Sequence, residues 1–583
     1  MRIPTRLPSR LLNRAGSGQL RAPRTTCLGP RWSSTSSPNE GRQWSTPLAK
    51  TLTEAITTTG PVPVAAYMRQ VLTAPDSGYY TSRPEGGDQF GQKGDFITSP
   101  EISQIFGELV GLWFVAEWML QGRKSSGVQL IELGPGRGTL MDDMLRAIRN
   151  FKSMSSAIET VYLIEASPTL RAAQHKLLCA DAPLKENDIG HESISKYNNL
   201  KIVWSEDIRL IPKGIPIPSL PTESTPTCLP ALDITKTPFI VAHEFFDALP
   251  IHIFESVAPP PPTDTPTTPE PAAPADLTNP AAVAAAVAAR QQHQRQQKTN
   301  EWRELVVSPV PPRSTHASLN TPLSLRAATP VPDFQLTKSK SPTPHSMYLP
   351  HTSPRYAALL RTPGSVIEIS PESLSHAADL AQRIGGAAAS SPQKKAFGSA
   401  SDANEEQQQQ QQSTKPHPSG AALILDYGPP DSVPTNSLRG IRHHRPVSPL
   451  ALPGLVDVSA DVDFTALAEA AIAASPGVEV HGPVEQAGFL EAMGVRERAG
   501  MLVRKVVGKE AKAGGKDGEG EVGDKEEGER KKLFRERIEK GAERLVDRGP
   551  NGMGRLYKAL AIVPHFPEKP GRRPVGFGGD VKV

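Results

Sequence analysis

The chain has 583 residues, of which 37% are apolar and only 5% aromatic, while proline reaches 59 and glycine 47. That length allows two or three domains, but so little apolar side chain points instead to one enzyme-sized body broken by unstructured insertions. The formal charge of +4 gives no argument for a nucleic-acid partner, because seven arginines fall in the first 33 residues and removing them leaves 4 − 7 = −3.

Those arginines (Arg2, Arg6, Arg10, Arg14, Arg21, Arg24, Arg31) are spaced by serines and leucines, and no acid appears before Glu40. The pattern is that of a transit peptide for the mitochondrial matrix, with Arg31-Trp32-Ser33 as a cleavage signal, and it lacks the apolar centre of a secretory signal. Residues 34–50 read as a linker. The three cysteines, Cys27, Cys179 and Cys228, show no Cys-x-x-Cys spacing, so neither a disulfide framework nor a metal site is expected. No run of ~18 apolar residues suggests a membrane span.

Pro61 to Tyr80 has helical spacing (Val64, Tyr67, Met68, Val71, Leu72) and ends in an Asp-Ser-Gly turn. Further on, Gly94-Asp95 forms a turn. Thr98 or Ser99 is placed to cap a helix with Pro100 at its start and Glu101 in its first turn. Local structure alone accounts for these residues; a positively charged ligand could equally use Glu101 and the two hydroxyls. Phe106 to Leu120, broken by Glu108 and Glu117, reads as a buried amphipathic helix.

The chain is organised around Val128 to Met144, VQLIELGPGRGTLMDDM. A short apolar run of buried-strand length leads into Gly134, Gly136 and Gly138, and helical spacing resumes at Leu140, Met144, Leu145 and Ile148. Strand, glycine turn and helix make the first unit of a nucleotide-binding α/β fold. The third glycine follows the second by two residues, not the three of a dinucleotide site. Glu132 lies inside the strand, and Glu165 ends the next apolar run, where ribose hydroxyls need an acceptor. This E-x-G-x-G-x-G arrangement resembles the S-adenosylmethionine site of class I methyltransferases.

Lys201 to Trp204 is a third strand, and Asp207 just past it either contacts the adenine end of a ligand or caps a helix. The strand Phe239 to Ala242 runs into His243, Glu244 and Asp247. Two carboxylates at a strand end suit a cationic nucleophile, because a guanidinium stays protonated and binds carboxylates through paired hydrogen bonds. Methyl transfer chiefly needs positioning and charge complementarity.

GYY (78–80), GDFITSPEISQIFGE (94–108), IELGPGRG (131–138) and HEFFDALP (243–250) occur in order. They are followed by EISP (368–371), LDYG (425–428), LRGIRHH (438–444), PGLVDVSADVDF (453–464), GPVEQAGFL (482–490) and MGRLYKALAI (553–562). Together they closely resemble the MidA-like family of mitochondrial complex I assembly methyltransferases, from about residue 50 to 565 with gaps. The resemblance implies a class I (Rossmann-like) α/β fold with a substrate-side subdomain, and S-adenosylmethionine as methyl donor. It also implies symmetric dimethylation of an arginine on a matrix-arm subunit of NADH–ubiquinone oxidoreductase. Glu132, Gly134, Gly136, Gly138, Glu165 and Asp207 would serve the donor; Glu244 and Asp247 would orient the guanidinium. Thr98, Ser99, Glu101, His243 and Asp426 are candidates for the substrate side. His243 stands where many members have Asn, and Asp461 where many have His.

The domain plan places the core at 51–257, 346–385, 420–507 and, as a last strand with its tail, 546–583. Between these, 258–345 is expected to be mostly unstructured, with a strand near 302–307 pairing Ile251 to Ser256. Residues 386–419, with Gln407 to Gln412, and the Lys/Glu/Gly-rich 508–545 are expected to lack structure. Strands at Ser365–Ile369 and Ala422–Asp426 are expected to complete the sheet, with Glu368 and Asp426 lining the site. Arg439, Arg442, His443 and His444 read as a basic loop for an acidic partner, and adjacent histidines do not share one helical face for a metal. The sequence thus reads as a methyltransferase acting on protein arginine, with a non-catalytic assembly chaperone of the same fold as the alternative.

Overall fold

The structure, a computed structural model, describes residues 43–82, 94–95, 97–213, 236–259, 300–327, 329–387, 415, 417–507, 521–568 and 571–578. The arginine-rich N-terminus, most of the linker and the glutamine run lie outside these residues. In chain order the strands are β1 (Val62–Pro63), β2 (Val128–Leu133), β3 (Ile158–Ile164), β4 (Lys185–Asn187), β5 (Gly190–Ile194) and β6 (Lys201–Ser205). Then come β7 (Thr237–His243), β8 (His252–Val257), β9 (Glu301–Pro309), β10 (Phe334–Lys338), β11 (Val366–Ile369) and β12 (Ala421–Tyr427). The last are β13 (Arg439–Arg442), β14 (Arg445–Val447), β15 (Asp457–Ser459), β16 (Val478–Glu485) and β17 (Tyr557–Pro564).

Nine strands form the main sheet in the order β16-β17-β12-β7-β2-β3-β6-β5-β4. The five in the middle, from β12 to β6, run parallel, and antiparallel pairs finish both edges. From β2 the chain builds outward through β3 and β6, then returns to lay β7 on the other side of β2. The loops leaving β2 and β7 therefore face each other at a topological switch point, where open α/β sheets bind ligands.

The strand β2 is buried at every position, as expected of a parallel strand covered on both faces. Its alternate side chains feed two cores: Val128 and Leu130 join one cluster, Ile131 and Leu133 the other. Helices α1 (Pro47–Thr59) and α2 (Val64–Thr73) form a separate core with Ile253, Val307 and Phe334 of the second sheet, whereas over the first face of the main sheet α4 (Gln104–Leu120), preceded by the short α3 (Ser99–Ile102), packs on α5 (Thr139–Ile148). Gly107 and Gly111 let α4 approach closely, since a Cβ on Gly107 would lie 2.5 Å from the Cβ of Asp143. The second face is covered by α6 (Pro371–Gly385) and α7 (Phe464–Ala474).

Several elements differ from the sequence reading. The strand β11 does not complete the main sheet; it pairs antiparallel with β8 in a second sheet, β1-β9-β8-β11, with β10 on the other edge of β9. A four-residue strand of three apolar side chains and Glu368 carries no mark of which sheet it joins. Residues 310–345 hold β10 and short helical turns rather than lacking structure. Part of the charged stretch is a helix, α8 (Glu521–Val546), which buries Ile538, Ala542, Leu545 and Val546 in the core. Its apolar stripe, at helical spacing, is masked in the sequence by surrounding Lys and Glu. The supposed linker already contains the start of α1, capped by Thr46, whose hydroxyl accepts from the Ala49 N–H at 3.1 Å.

The C-terminal segment is pinned to α4. The Arg572 guanidinium pairs with Glu117, whose side chain is 1% exposed, and the Trp113 indole donates to the Val575 carbonyl at 3.0 Å. Arg572→Ala leaves that carboxylate buried without its cation. Urea denaturation is expected to show a loss of ~3–5 kcal/mol, most of it recovered by adding Glu117→Gln. A loss below ~1 kcal/mol without recovery would show that the pair carries no weight.

Candidate active site

The switch point opens into a cavity of about 1310 Å³. One wall is the glycine loop after β2. Gly134, Gly136 and Gly138 take φ values of +62°, +52° and +83°, a left-handed region that side chains rarely adopt. A Cβ on Gly134 would sit 2.9 Å from Cδ2 of Phe245, so the loops after β2 and β7 touch only because this residue is glycine. Gly134 and Gly136 line the cavity, whereas Gly138 lies behind them as the cap of α5.

Two acids flank this wall. Glu132 is buried, and its Oε2 has no hydrogen-bond partner. Burial, with the negative charge of Glu165 beside it, pushes its carboxyl up to about 8. Glu165 at the end of β3 accepts from the Ser167 N–H at 2.7 Å and from the Gln174 amide at 3.1 Å. Burial raises it to about 7 against those donors. Gln174, unnoticed in the sequence, also donates to the Gly136 carbonyl at 2.6 Å and accepts from the Trp204 indole at 2.9 Å. One fully buried amide thus holds the glycine loop and Glu165 in register. Asp207 lines the same end while capping a short 3-10 turn through the Arg209 N–H at 2.8 Å; its hydrogen bonds to the Arg209 guanidinium hold its carboxyl below the usual range.

The opposite wall grows from β7. Asp426 on the neighbouring β12 is fully buried, and its Oδ2 accepts the backbone N–H groups of Phe245, Phe246 and Asp247 at 3.2, 2.9 and 3.4 Å. Asp426 does not line the cavity; it holds the loop that does. The Glu244 N–H donates to the Leu425 carbonyl at 3.0 Å, and Glu244 sits at φ +50°, which costs a non-glycine residue strain energy. Glu244, partly buried, and Asp247, buried, both line the cavity, and the buried atoms Glu244 Oε1 and Asp247 Oδ1 find no hydrogen-bond partner. Burial and mutual repulsion push Glu244 well above the usual carboxylate range, and burial raises Asp247. His243 lies at 3.5 Å from Glu244, packed against Phe106 and stacked on Tyr557. Burial pushes its imidazole down to about 3, so it is neutral.

Tyrosines complete this wall. Tyr427 donates to Asp247, Tyr557 lies close enough to Glu244 for its charge to be felt, and Tyr80 donates to Asp457 at 2.9 Å. Burial lifts Asp457 to about 7. Arg439 does not belong to an exposed basic loop: its guanidinium lies 4.4 Å from the Tyr427 ring centroid and 2.6 Å from Asp461, lining the cavity. Packing inside the second sheet takes Glu368 away from the site, where it accepts from Ser437. Of the α3 candidates, Thr98 and Glu101 line the cavity, Glu101 facing Arg137 of the glycine loop at 3.5 Å; Ser99 is turned away toward the Met553 sulfur at 3.7 Å. Tyr80, Tyr427, Asp457 and Tyr557 were visible only inside the matched blocks, never from spacing.

A family model described as "Putative S-adenosyl-L-methionine-dependent methyltransferase" matches residues 109–484. The chain belongs to this family. As a methyltransferase it is 30% identical over 528 residues to "Protein arginine methyltransferase NDUFAF7, mitochondrial" of Rattus norvegicus, covering 89% of this chain and 85% of the relative. It is 29% identical to the Homo sapiens protein of that name, over 89% and 84% of the two chains. The Drosophila melanogaster homolog is 30% identical over 89% and 85%. The methyltransferase shares its fold with a crystallised protein of Burkholderia thailandensis bound to S-adenosyl-homocysteine (TM-score 0.52, 18% identity, 92% and 93% coverage). The native structure of a superfamily protein from the same organism aligns with a TM-score of 0.51 and 18% identity, over 92% of this chain and 93% of that one. The donor-side wall suits the family's cosubstrate: the glycine loop leaves room against the backbone, Glu165 offers remaining lone pairs for hydroxyls, and Glu132 keeps an unpartnered carboxyl oxygen.

Raised carboxyls carry a pH signature. Each holds a proton in the folded protein that the unfolded chain releases above its ordinary value near 4.3, so its stabilising contribution is lost as pH rises toward the folded value. Neutral His243 acts in the opposite sense below about pH 6.5, so the slope is read between pH 6.5 and 8. Over that window the melting temperature of the methyltransferase should fall, and Glu132→Gln should flatten the fall. An unchanged slope in the variant would show that Glu132 does not titrate there.

Proposed function

We propose that this methyltransferase transfers the methyl group of S-adenosylmethionine to an arginine of a protein substrate, completing symmetric dimethylation of a complex I matrix-arm subunit in the mitochondrial matrix. One observation carries the reading: Glu244 Oε1 and Asp247 Oδ1, buried side by side in the cavity wall, lack hydrogen-bond donors. A guanidinium supplies five N–H donors in a planar fork and a charge that never titrates away. Its arrival turns a repelling, desolvated set of acids into a compensated one. The names of the relatives, mitochondrial protein arginine methyltransferases, support the same substrate class and compartment, as do the seven arginines ahead of Trp32.

Bound at the glycine loop, the donor supplies an electrophilic methyl carbon. Glu244 and Asp247 would hold the guanidinium with one nitrogen turned toward the loop after β2. Their charge would lower the cost of placing a cation in an apolar-walled cleft, and one carboxylate would take the proton that the nitrogen loses as its new N–C bond forms and the methyl carbon–sulfur bond to the departing S-adenosyl-homocysteine breaks. Tyr427 holds the Asp247 carboxyl in place through its hydroxyl. The phenyl ring of Phe245, wedged against Gly134, seals the junction of the two walls and keeps water out.

Two variants separate the roles. Gly136→Val places a branched side chain at φ +52°, where it is strained and intrudes on the loop; calorimetric titration with S-adenosylmethionine should detect no binding. Glu244→Gln should leave donor affinity within about twofold while lowering kcat by roughly 10²-fold or more, read as methylated arginine by mass spectrometry. Normal turnover in Glu244→Gln would remove it from the reaction. Donor binding with no methylated arginine in any complex I subunit would shift the function to assembly without transfer.

A further inference from the structure

Away from the cavity, three side chains of metal-ligand type converge on the second sheet. Glu304 on β9 is completely buried, His252 opens β8, and His345 sits in the short helix Pro344–Tyr348. One ligand atom from each lies within 4.8 Å of the other two. His252 Nδ1 is 2.7 Å from Glu304 Oε1, His345 Nδ1 is 3.7 Å from Glu304 Oε2, and the two imidazole rings are 4.2 Å apart. We propose that His252, Glu304 and His345 bind a divalent transition-metal ion of the zinc class, which ties the segment 339–351 to the second sheet.

An ordinary ion pair accounts for only part of this arrangement. Among the described residues, the ionic partners of Glu304 are the two imidazoles alone, without Lys or Arg. A buried carboxylate needs a compensating positive charge. One divalent ion more than compensates the carboxylate, and imidazole nitrogen is the usual partner of such an ion.

Geometry and surroundings agree. Zinc bonds of ~2.0–2.2 Å to His nitrogen and carboxylate oxygen put tetrahedral donor atoms about 3.3 Å apart, so the present spacing needs the His252–Glu304 contact to open and His345 to swing inward. His345 is free to do so, with a side chain 47% exposed on a helix of one turn. An outer shell is in place: the Thr343 hydroxyl donates to Glu304 Oε2 and also caps the helix that carries His345. The Ser339 N–H donates to the Glu304 carbonyl at 2.8 Å, fixing the start of the segment on β9. Two histidines and one carboxylate leave a fourth position for water and suit zinc better than magnesium or calcium, which prefer all-oxygen sites.

The test uses the full chain, stripped with a chelator and titrated with zinc chloride at pH 7.5 by calorimetry, with metal content measured after dialysis. One equivalent of zinc is expected, together with a zinc-dependent rise in melting temperature that magnesium does not reproduce. His345→Asn, an exposed position whose loss leaves the fold intact, should weaken zinc binding roughly 100-fold or more, beyond what outer-shell changes cost, and abolish the temperature rise. His252→Gln should do the same. His565→Asn serves as control, since His565 pairs with Glu479 on the far edge of the main sheet, and should change neither. Absence of saturable zinc binding, or binding that survives His345→Asn and is lost in His565→Asn, would overturn the proposal.

Discussion

The working wall of the enzyme depends on one carboxylate that never meets a ligand. Asp426, sealed beneath the loop after β7, collects three successive backbone N–H groups with a single oxygen. Without it those donors would be buried and unpaired, at a cost of ~1–3 kcal/mol each. That anchorage makes Glu244 tolerable at φ +50°. It fixes where Glu244 and Asp247 point, and seats Phe245 against Gly134. The two walls of the cleft are thereby joined through a residue that contributes nothing to its surface.

A second constraint is electrostatic. Glu132, Glu244, Asp247 and Asp457 are desolvated within one cleft, each raised above its ordinary range mainly by burial. Such a set is unfavourable in isolation and is compensated by cations, which suits the family's positively charged cosubstrate and the positively charged nucleophile proposed above. Tyr427 and Tyr80 serve the same end, giving neutral hydroxyl donors that hold Asp247 and Asp457 in place. Arg439, the positive group in this wall, is largely spent on Asp461 and the face of Tyr427.

Much of this was legible in the residues. A buried strand running into alternating glycines, and a second strand running into Glu244 and Asp247, follow from patterns that survive in any tertiary setting. What was not legible depends on long-range contact. Gln174 is an unremarkable polar residue in a helix until Gly136, Glu165 and Trp204 close around it. Asp426 reads as a lining acid because a strand end is where ligands go, and only the register of β12 beside β7 turns it beneath the loop. Arg439 sits among His and Arg and looks like surface charge. The apolar stripe of α8 is four residues in a run of Lys and Glu, too sparse to outweigh its composition. Each miss has the same origin: partner identity lies tens or hundreds of residues away.

The pairing of β8 with β9 has a consequence for how this chain tolerates length. Val257 stands opposite Glu301, so whatever lies between them leaves and re-enters the body one strand spacing apart. For a connection whose ends are already clamped by a ladder, each doubling of length costs only about 0.6 kcal/mol in closure entropy. The hairpin tip can therefore grow, shrink or accept a foreign domain while the register of the second sheet, and the cleft it borders, stays as it is.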